Sequence, residues 1–252
     1  MQLVARLRGF TLTEMAVVLM IVALLVAGGM MTLSAQTEVR NNEEAMRRIN
    51  ASVDAIIGFA ITNRRLPCPA SGGTTGDEDP ISGTGSCTTW YGGFVPAKTI
   101  GAQPVDPQGY AVDPWGNRLR YAVANLITGC TGTSTTPHFT SAANLKANGV
   151  SCRPNDLDVC QSSVGINATS CNTATRVVSS STAAFIVFST GKNGGIAASY
   201  GPDEAANTDG DRVFVTRIVG TSETGGGAYD DLMVVVPAGV LYSKLIAAGV
   251  LP

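Results

Sequence analysis

Histidine is almost absent from this sequence, since His138 is the only one among 252 residues. A hydrolase triad needs a histidine beside its nucleophile, and many zinc sites combine histidine with cysteine. The six cysteines include no CxxC pair, and neither a phosphate-binding loop nor a nucleophile elbow occurs. These absences argue against the common hydrolase and zinc classes. We expect a protein that is not an enzyme.

Charged residues are also scarce, at 14 % of the chain against roughly 25 % in a usual soluble domain. Glycine, serine, threonine and asparagine make up the balance, which is typical of an exported protein with long loops. The formal net charge is −2. Strong non-specific binding of nucleic acid is therefore not favoured by the overall charge.

No charged residue lies between Glu14 and Glu38, which leaves an apolar run from Met15 to Ala35. About 20 apolar residues are enough to cross the hydrocarbon core as a helix, so the run predicts a membrane span. Arg6 and Arg8 precede it without an acidic partner. Their charge predicts a cytoplasmic N-terminus, with the rest of the chain on the other side of the membrane.

Proline is missing from Phe10 to about Asn63, which favours one continuous helix. We expect an apolar half at residues 10–35 and an amphipathic half at residues 36–63. The amphipathic half carries one apolar seam at helical spacing: Val39, Met46, Ile49, Val53, Ile56 and Ala60.

Residues 64–252 are expected to form a globular head. Segments rich in apolar or β-branched residues predict strands at Arg118 to Val123, Ala183 to Ser189, Arg212 to Val219 and Leu232 to Val236. A short C-terminal helix is predicted from Gly239 to Ala248. A long helix followed by antiparallel strands indicates the α+β class.

All six cysteines lie beyond the apolar run, and their even number favours disulfides on an oxidising side of a membrane. Six cysteines allow 15 pairings, among which the sequence does not choose. Cys68 with Cys87 is the most local pair, and the other four crowd an inserted region at about residues 129–175. The candidates are Cys68, Cys87, Cys130, Cys152, Cys160 and Cys171.

The segment Gly9-Phe-Thr-Leu-Thr-Glu14 closely resembles the processing site of type IV pilins and type II secretion pseudopilins. The resemblance implies a leader of residues 1–9, cleavage after Gly9 and N-methylation of Phe10. It also implies that Glu14 directs assembly by pairing with the free amine of Phe10 on a neighbouring subunit. The alternative is that Thr11 and Glu14 form a helix capping box at the start of a single-pass anchor.

Later segments resemble the major pseudopilin of type II secretion in the same order along the chain. They are Asp113-Pro-Trp-Gly-Asn117, Phe188 to Gly194 and the acidic loop Asp203 to Asp211. The resemblance implies a pilin fold, in which one long N-terminal helix packs on an antiparallel sheet with long disulfide-bearing loops. It places the protein in the bacterial inner membrane, with a periplasmic head, and then in a periplasmic pseudopilus or a surface pilus.

Calcium is the one cofactor that the sequence suggests. Asp203, Asn207, Asp209 and Asp211 offer oxygen ligands, and the last three stand at alternating positions. The resembled pseudopilins bind calcium in the corresponding loop. The loop lacks the twelfth-position glutamate of an EF-hand. A solvated turn without an ion is the alternative interpretation.

Two functions follow from the resemblance. The first is a structural subunit of a type IV pilus or type II secretion filament, with a prepilin peptidase, other pilin subunits and an inner-membrane platform with a cytoplasmic ATPase as partners. The second is a minor pilin whose large head serves adhesion, binding or uptake through the inserted region at residues 129–175.

Overall fold

The computed structural model describes residues 11–81, 85–125, 137–223 and 227–251, with the backbone alone for residues 27–35, 197 and 221–223. The chain divides into two compact units, Met1–Glu43 and Glu44–Pro252. The helices are α1 (Leu12–Asn63), α2 (Ala97–Ile100), α3 (Ala142–Asn148), α4 (Pro202–Ala206) and α5 (Ala238–Ala247). The strands are β1 (Gly93–Phe94), β2 (Arg120–Val123), β3 (Asp158–Cys160), β4 (Arg176–Val178), β5 (Ala183–Ser189), β6 (Val213–Val215), β7 (Gly220–Glu223), β8 (Gly227–Tyr229) and β9 (Leu232–Pro237).

The first unit contains the beginning of α1, where the large apolar side chains of residues 12–26 are exposed. Among the residues that the structure describes, none of the helices combines the length and the apolarity that a membrane crossing requires.

Two predictions are therefore wrong. The first is the pilin fold, because it requires a membrane half of the helix at residues 10–35 beside the amphipathic half at residues 36–63. The predicted continuity of the helix is correct, since α1 runs unbroken from Leu12 to Asn63. The second is the single-pass location in the inner membrane, with a cytoplasmic N-terminus and a periplasmic head. Both rested on the uncharged run to Ala35, of which only residues 15–26 have described side chains.

In the second unit, the end of α1 supplies one side of the main core. Ile49, Ile56 and Ala60 are completely buried, as the predicted seam requires. Val39, at the beginning of that seam, is 57 % exposed, so the seam was predicted one to two turns too long. Glu44 accepts hydrogen bonds from both Arg47 and Arg48 on the solvated side of the helix.

The α+β class is correct, and the main sheet has four antiparallel strands in the order β1-β2-β5-β9. All seven residues of β5 are buried, because β5 is an inner strand with a neighbour at each edge. The predicted strands at residues 118–123, 183–189 and 232–236 correspond to β2, β5 and β9. The predicted C-terminal helix corresponds to α5, whose Leu241 and Leu245 complete the main core.

A second, three-stranded sheet has the order β4-β3-β6, and β3 runs parallel to β6. The predicted strand at residues 212–219 is reduced there to β6. Two short antiparallel strands, β7 and β8, form a separate ribbon. The head therefore contains more than the single antiparallel sheet that the sequence suggested.

Two disulfides join described cysteines. Cys68–Cys87 confirms the local pair, and its Cα atoms lie 5.3 Å apart. Cys160–Cys171 closes the end of β3 within the predicted inserted region. Cys152 is disulfide-bonded as well, while Cys130 lies outside the described residues.

His138 is completely buried beside α5 and has a structural role. Its Nε2 lies 3.0 Å from the Tyr242 hydroxyl, which donates its own hydrogen to the Cys152 carbonyl at 2.5 Å. The hydroxyl oxygen is thus left to accept from Nε2–H. Burial lowers the pKa of His138 to about 4, because the charged imidazolium would lose its hydration.

We expect His138 to destabilise the folded chain as the pH falls from about 6.5 to 4. The unfolded chain takes up the His138 proton near pH 6.5 and the folded chain near pH 4, so protonation favours unfolding across this window. The loss is on the order of 3 kcal/mol. Melting temperatures measured between pH 4 and 7 should show a steeper acid decline for the native chain than for His138→Gln. Equal slopes would contradict this role of His138.

Candidate metal centre

Three carboxylates from two separate segments meet at one end of the main sheet. Glu204 belongs to α4, while Asp230 and Asp231 lie between β8 and β9. One oxygen from each lies within 4.8 Å of the others. Two ligands on opposite sides of a Ca²⁺ ion, each at 2.3–2.6 Å, are about 5 Å apart, so the three oxygens could bind one ion.

Glu204 is 1 % exposed and is held by donors from three sides. Its Oε2 accepts hydrogen bonds from the Gly201 amide at 3.0 Å and from Asn193 Nδ2 at 2.8 Å. Its Oε1 accepts from the Asp230 amide at 2.8 Å. These neutral donors fix the carboxylate in place without neutralising its charge.

Each aspartate of the cluster has one satisfied and one unsatisfied oxygen. Asp230 Oδ2 accepts from the amides of Lys192 and Asn193, and Asp231 Oδ2 accepts from Asn207 Nδ2 at 2.7 Å. Asp230 Oδ1 and Asp231 Oδ1 are buried and have no hydrogen-bond partner. Buried acceptors of this kind are costly unless an ion or a water binds them.

The electrostatics of the cluster favour a bound cation. Burial, followed by the charge of Glu204, raises the pKa of Asp230 to about 6. Burial also raises the pKa of Asp231 to about 8, against the opposing effect of its hydrogen bond from Asn207. Without an ion, the protein must either bury negative charge or protonate these groups near neutral pH.

A glycine loop after β5 closes one side of the cluster. Gly191 has a φ of 65°, and a Cβ atom built there would collide with the Asp230 carboxylate. Glycine is therefore required for both the left-handed conformation and the close approach. Asn117 Nδ2 donates to the Gly191 carbonyl at 2.7 Å and fixes the loop to the turn at residues 113–117.

The ligand atoms indicate a hard divalent cation. Carboxylates and the nearby, unpartnered Asn193 Oδ1 supply oxygen only, which suits Ca²⁺ better than the softer transition metals. Glu204, Asp230 and Asp231 are the residues that would hold the ion. Its charge would offset the cost of burying three carboxylates.

The four residues that the sequence suggested for calcium are not brought together. Asp203 is buried in an ion pair with Arg217 at 2.8 Å, and its other oxygen accepts from Ser163. Asn207 reaches the cluster only through its hydrogen bond to Asp231. Asp209 and Asp211 bind backbone amides of the following turn. Asp209 Oδ1 accepts a hydrogen bond from the Asp211 amide, and Asp211 Oδ1 accepts one from the Val213 amide.

Sequence reasoning missed Asp230 and Asp231 because they follow the acidic loop by some twenty residues. The signal available was a pair of adjacent acids immediately before the apolar strand β9. Glu204 belongs to the acidic loop itself. The Glu204 side chain reaches Asp230 and Asp231 because Glu204 lies in α4, a helix that the sequence pattern did not predict.

At the N-terminus, Gly9 and Phe10 lie outside the described residues. Thr11 and Glu14 form the capping box that was the alternative interpretation. The Thr11 amide donates to Glu14 Oε2 at 2.9 Å, and the Glu14 amide donates to Thr11 Oγ1 at 3.3 Å. Glu14 is exposed, and the hydrogen bond from the Thr11 amide lowers its pKa.

Neither models of protein families nor curated proteins nor solved structures match this chain.

We expect calcium to raise the melting temperature of the chain after treatment with EDTA. Binding to the folded state alone stabilises it, by about 2.7 kcal/mol at a free concentration 100 times the Kd. Asp231→Asn should abolish this response, because it removes a ligand charge. Asp209→Asn, at an exposed position in the neighbouring turn, should retain the response.

Either of two results would contradict the assignment. If calcium leaves the melting temperature unchanged, Glu204, Asp230 and Asp231 do not form a calcium site. A response that is lost in Asp209→Asn but kept in Asp231→Asn would return the site to the acidic turn.

Proposed function

We propose that this chain is a subunit of a filament of the type IV pilin and type II secretion pseudopilin class. A prepilin peptidase would cut after Gly9 and methylate Phe10, and other pilin-like subunits would be the partners in the polymer. The ATP-driven assembly machinery of such filaments would be a further partner. The processing-site resemblance at residues 9–14 supports the class, and the exposed apolar helix supports the polymer.

The exposed apolar helix is the observation that carries the proposal. Leu19, Met20, Ile21 and Val22 are consecutive, so they point in different directions around α1, and each is about half exposed or more. Leu12 and Leu25, near the two ends of residues 12–26, are 88 % and 71 % exposed. A helix that is apolar on all sides is stable only when other apolar surface covers it.

Copies of the same helix would provide this cover in a filament core. Burial of each large aliphatic side chain contributes roughly 1.5–3 kcal/mol. The residues of this surface are Leu12, Met15, Val17, Val18, Leu19, Met20, Ile21, Val22, Leu24, Leu25 and Val26. Their sum is large enough to drive assembly against the loss of translational freedom.

Glu14 is the only charged residue on this surface, and assembly would remove it from water. A carboxylate buried without a partner costs several kcal/mol. Cleavage after Gly9 would create a free amine at Phe10, which would be the partner of Glu14 on the neighbouring subunit. The Thr11 capping bonds would hold Glu14 until that amine replaces them.

A minor pilin with a binding head is the second candidate. The sheet β4-β3-β6 and the Cys160–Cys171 disulfide lie within or next to the inserted region at residues 129–175. Val159 and Phe214 of this sheet belong to the main core, while Cys160, Cys171 and Val213 form a small cluster of their own. The sheet and its disulfide would therefore present the specialised surface on a support that is anchored in the main core.

We expect mature chains from cells with an active prepilin peptidase to begin at Phe10. Intact-protein mass spectrometry should show the loss of residues 1–9 and the added mass of one methyl group. Chains from matched cells without the peptidase should begin at Met1, or at Gln2 where the initiator methionine has been removed. An uncleaved chain in the presence of the active peptidase would contradict the proposed class.

Replacement of Glu14 by alanine should leave processing intact but reduce filament assembly at least tenfold, which corresponds to about 1.4 kcal/mol. The missing carboxylate would leave the Phe10 amine unpaired in the filament. Sedimentation of sheared filaments and cross-linking of copies measure the effect. Glu43→Ala, on the same helix but outside the apolar surface, is the control. Normal assembly of Glu14→Ala would contradict the pairing.

A further inference from the structure

A small cavity opens beside the turn at residues 113–117, since Gly116 and Asn117 line it. Its volume is about 220 Å³. The residues that line it share polar or glycine character, apart from one aromatic ring: Phe94, Gly116, Asn117, Arg118, Arg120, Thr190 and Gly194. Nothing in the filament proposal uses this cavity.

Arg120 is the half-buried cation of the cavity. Its guanidinium lies 4.8 Å from the centre of the Phe94 ring, which supports one face of the plane. Within the described part of the chain, its one hydrogen bond is a long contact of 3.4 Å from Nη1 to the Gly92 carbonyl. It takes part in no ion pair within 4.0 Å there. A guanidinium has five N–H donors, so most of its donors are not used.

Arg118, the neighbouring arginine, is in the opposite situation. Its Nε donates to Asp106 at 2.6 Å, its Nη2 to Gln108 at 3.3 Å, and its guanidinium lies 3.9 Å from the Tyr110 ring centre. Arg118 is therefore neutralised by its own partner. The comparison identifies Arg120 as the available cation of the cavity.

The other walls limit the size of what can bind. A Cβ atom at Gly194 would collide with Thr190 and lie close to Asn117 Nδ2. Only a residue without a side chain therefore fits at this wall of the cavity. Thr190 is 3 % exposed and is fixed by its burial at the end of β5. The cavity therefore has a rigid floor and one cationic wall.

Desolvation by burial lowers the pKa of Arg120, which means that its charge is poorly compensated by the surroundings. The acidic groups that oppose this effect are the Tyr200 phenol and then Asp231 of the metal cluster, and Arg120 forms an ion pair with neither of them. If Arg120 served only to balance that cluster, a direct hydrogen bond to one of its carboxylates would be the favourable arrangement.

The geometry points to a binding site for a carboxylate group, with Arg120 as the residue that recognises it. The planar guanidinium fork matches the two oxygens of a carboxylate. One available cation and a nearby acidic cluster suit a single negative charge better than a phosphate dianion. The site is independent of the filament proposal, because it lies entirely within the second unit, Glu44–Pro252.

The test is a titration of the full chain in detergent micelles, with ¹⁵N-labelled arginine and observation of the arginine Nε–Hε resonances. The probes are sodium acetate, sodium phosphate and, for ionic strength, sodium chloride. We expect acetate to shift the Arg120 resonance to saturation in the millimolar range, while phosphate binds more weakly. Chloride should cause only a small, non-saturating change.

Variants separate recognition from general charge effects. Arg120→Gln should weaken acetate binding more than tenfold, as reported by the neighbouring Arg118 resonance, and Arg120→Lys should recover only part of it because lysine lacks the fork. Arg153→Gln, at an exposed arginine outside the cavity, should bind acetate like the native chain. A cooperative thermal unfolding transition reports whether each variant is folded.

Three outcomes would overturn the proposal. They are acetate shifts no larger than those caused by chloride, unchanged acetate binding in Arg120→Gln, or tighter binding of phosphate than of acetate. If Arg120→Gln does not fold, Arg120→Lys decides alone: native-like acetate affinity in that variant would also remove the role of the fork.

Discussion

The Asp113 carboxylate is the interaction on which the arrangement of the head depends. Its Oδ1 accepts the amides of Trp115 and Asn117, and its Oδ2 accepts the Ser189 hydroxyl at 2.6 Å. The carbonyl of the same residue accepts from Arg48 of α1. One buried residue therefore connects the helix, the turn before β2 and the end of β5. Burial raises the pKa of Asp113, and these hydrogen bonds oppose the increase.

The two candidate sites lie next to this connection for a physical reason. Ser189 ends β5, and the chain then continues through Thr190 and Gly191. Asn117 fixes Gly191 through its carbonyl, so the same turn that orders the sheet also holds the glycine against Asp230. Asn117 also lines the cavity at Arg120. Rigid sheet ends position polar groups more accurately than free loops do.

The charges of the head are distributed unequally between these sites. Asp203 and Arg217 form a buried pair, and Arg65 and Glu78 form a second one at 2.6 Å. In each pair the two charges neutralise each other, so neither charge is available to bind a ligand. Glu204, Asp230 and Asp231 are instead surrounded by neutral amides. A cation at the cluster would supply the compensation that the protein itself does not provide.

Sequence patterns gave the main elements and failed where distant segments meet. The β-branched and apolar run of residues 183–189 is long and bounded by turn residues, so β5 could be predicted from it directly. The local pair Cys68–Cys87 could be proposed because loop closure favours short separations. The acidic-loop assignment failed to include Asp230 and Asp231, since spacing along the chain does not reveal contacts between α4 and the residues that join β8 to β9. The length of the uncharged run predicted a membrane span, but none of the helices among the described residues combines the length and the apolarity that a span requires.

By itself, the sequence determined α1, β2, β5, β9 and α5, the apolar character of residues 12–26, and the resemblance of residues 9–14 to a processing site. These properties depend on periodicity, composition and short motifs, which are local. Only the tertiary structure decided which acids converge, because Glu204 becomes a neighbour of Asp230 and Asp231 through the packing of α4 against β6 and β8. It also decided that Arg118 is neutralised while Arg120 is available, because the two arginines, although two residues apart, meet different neighbours across the sheet.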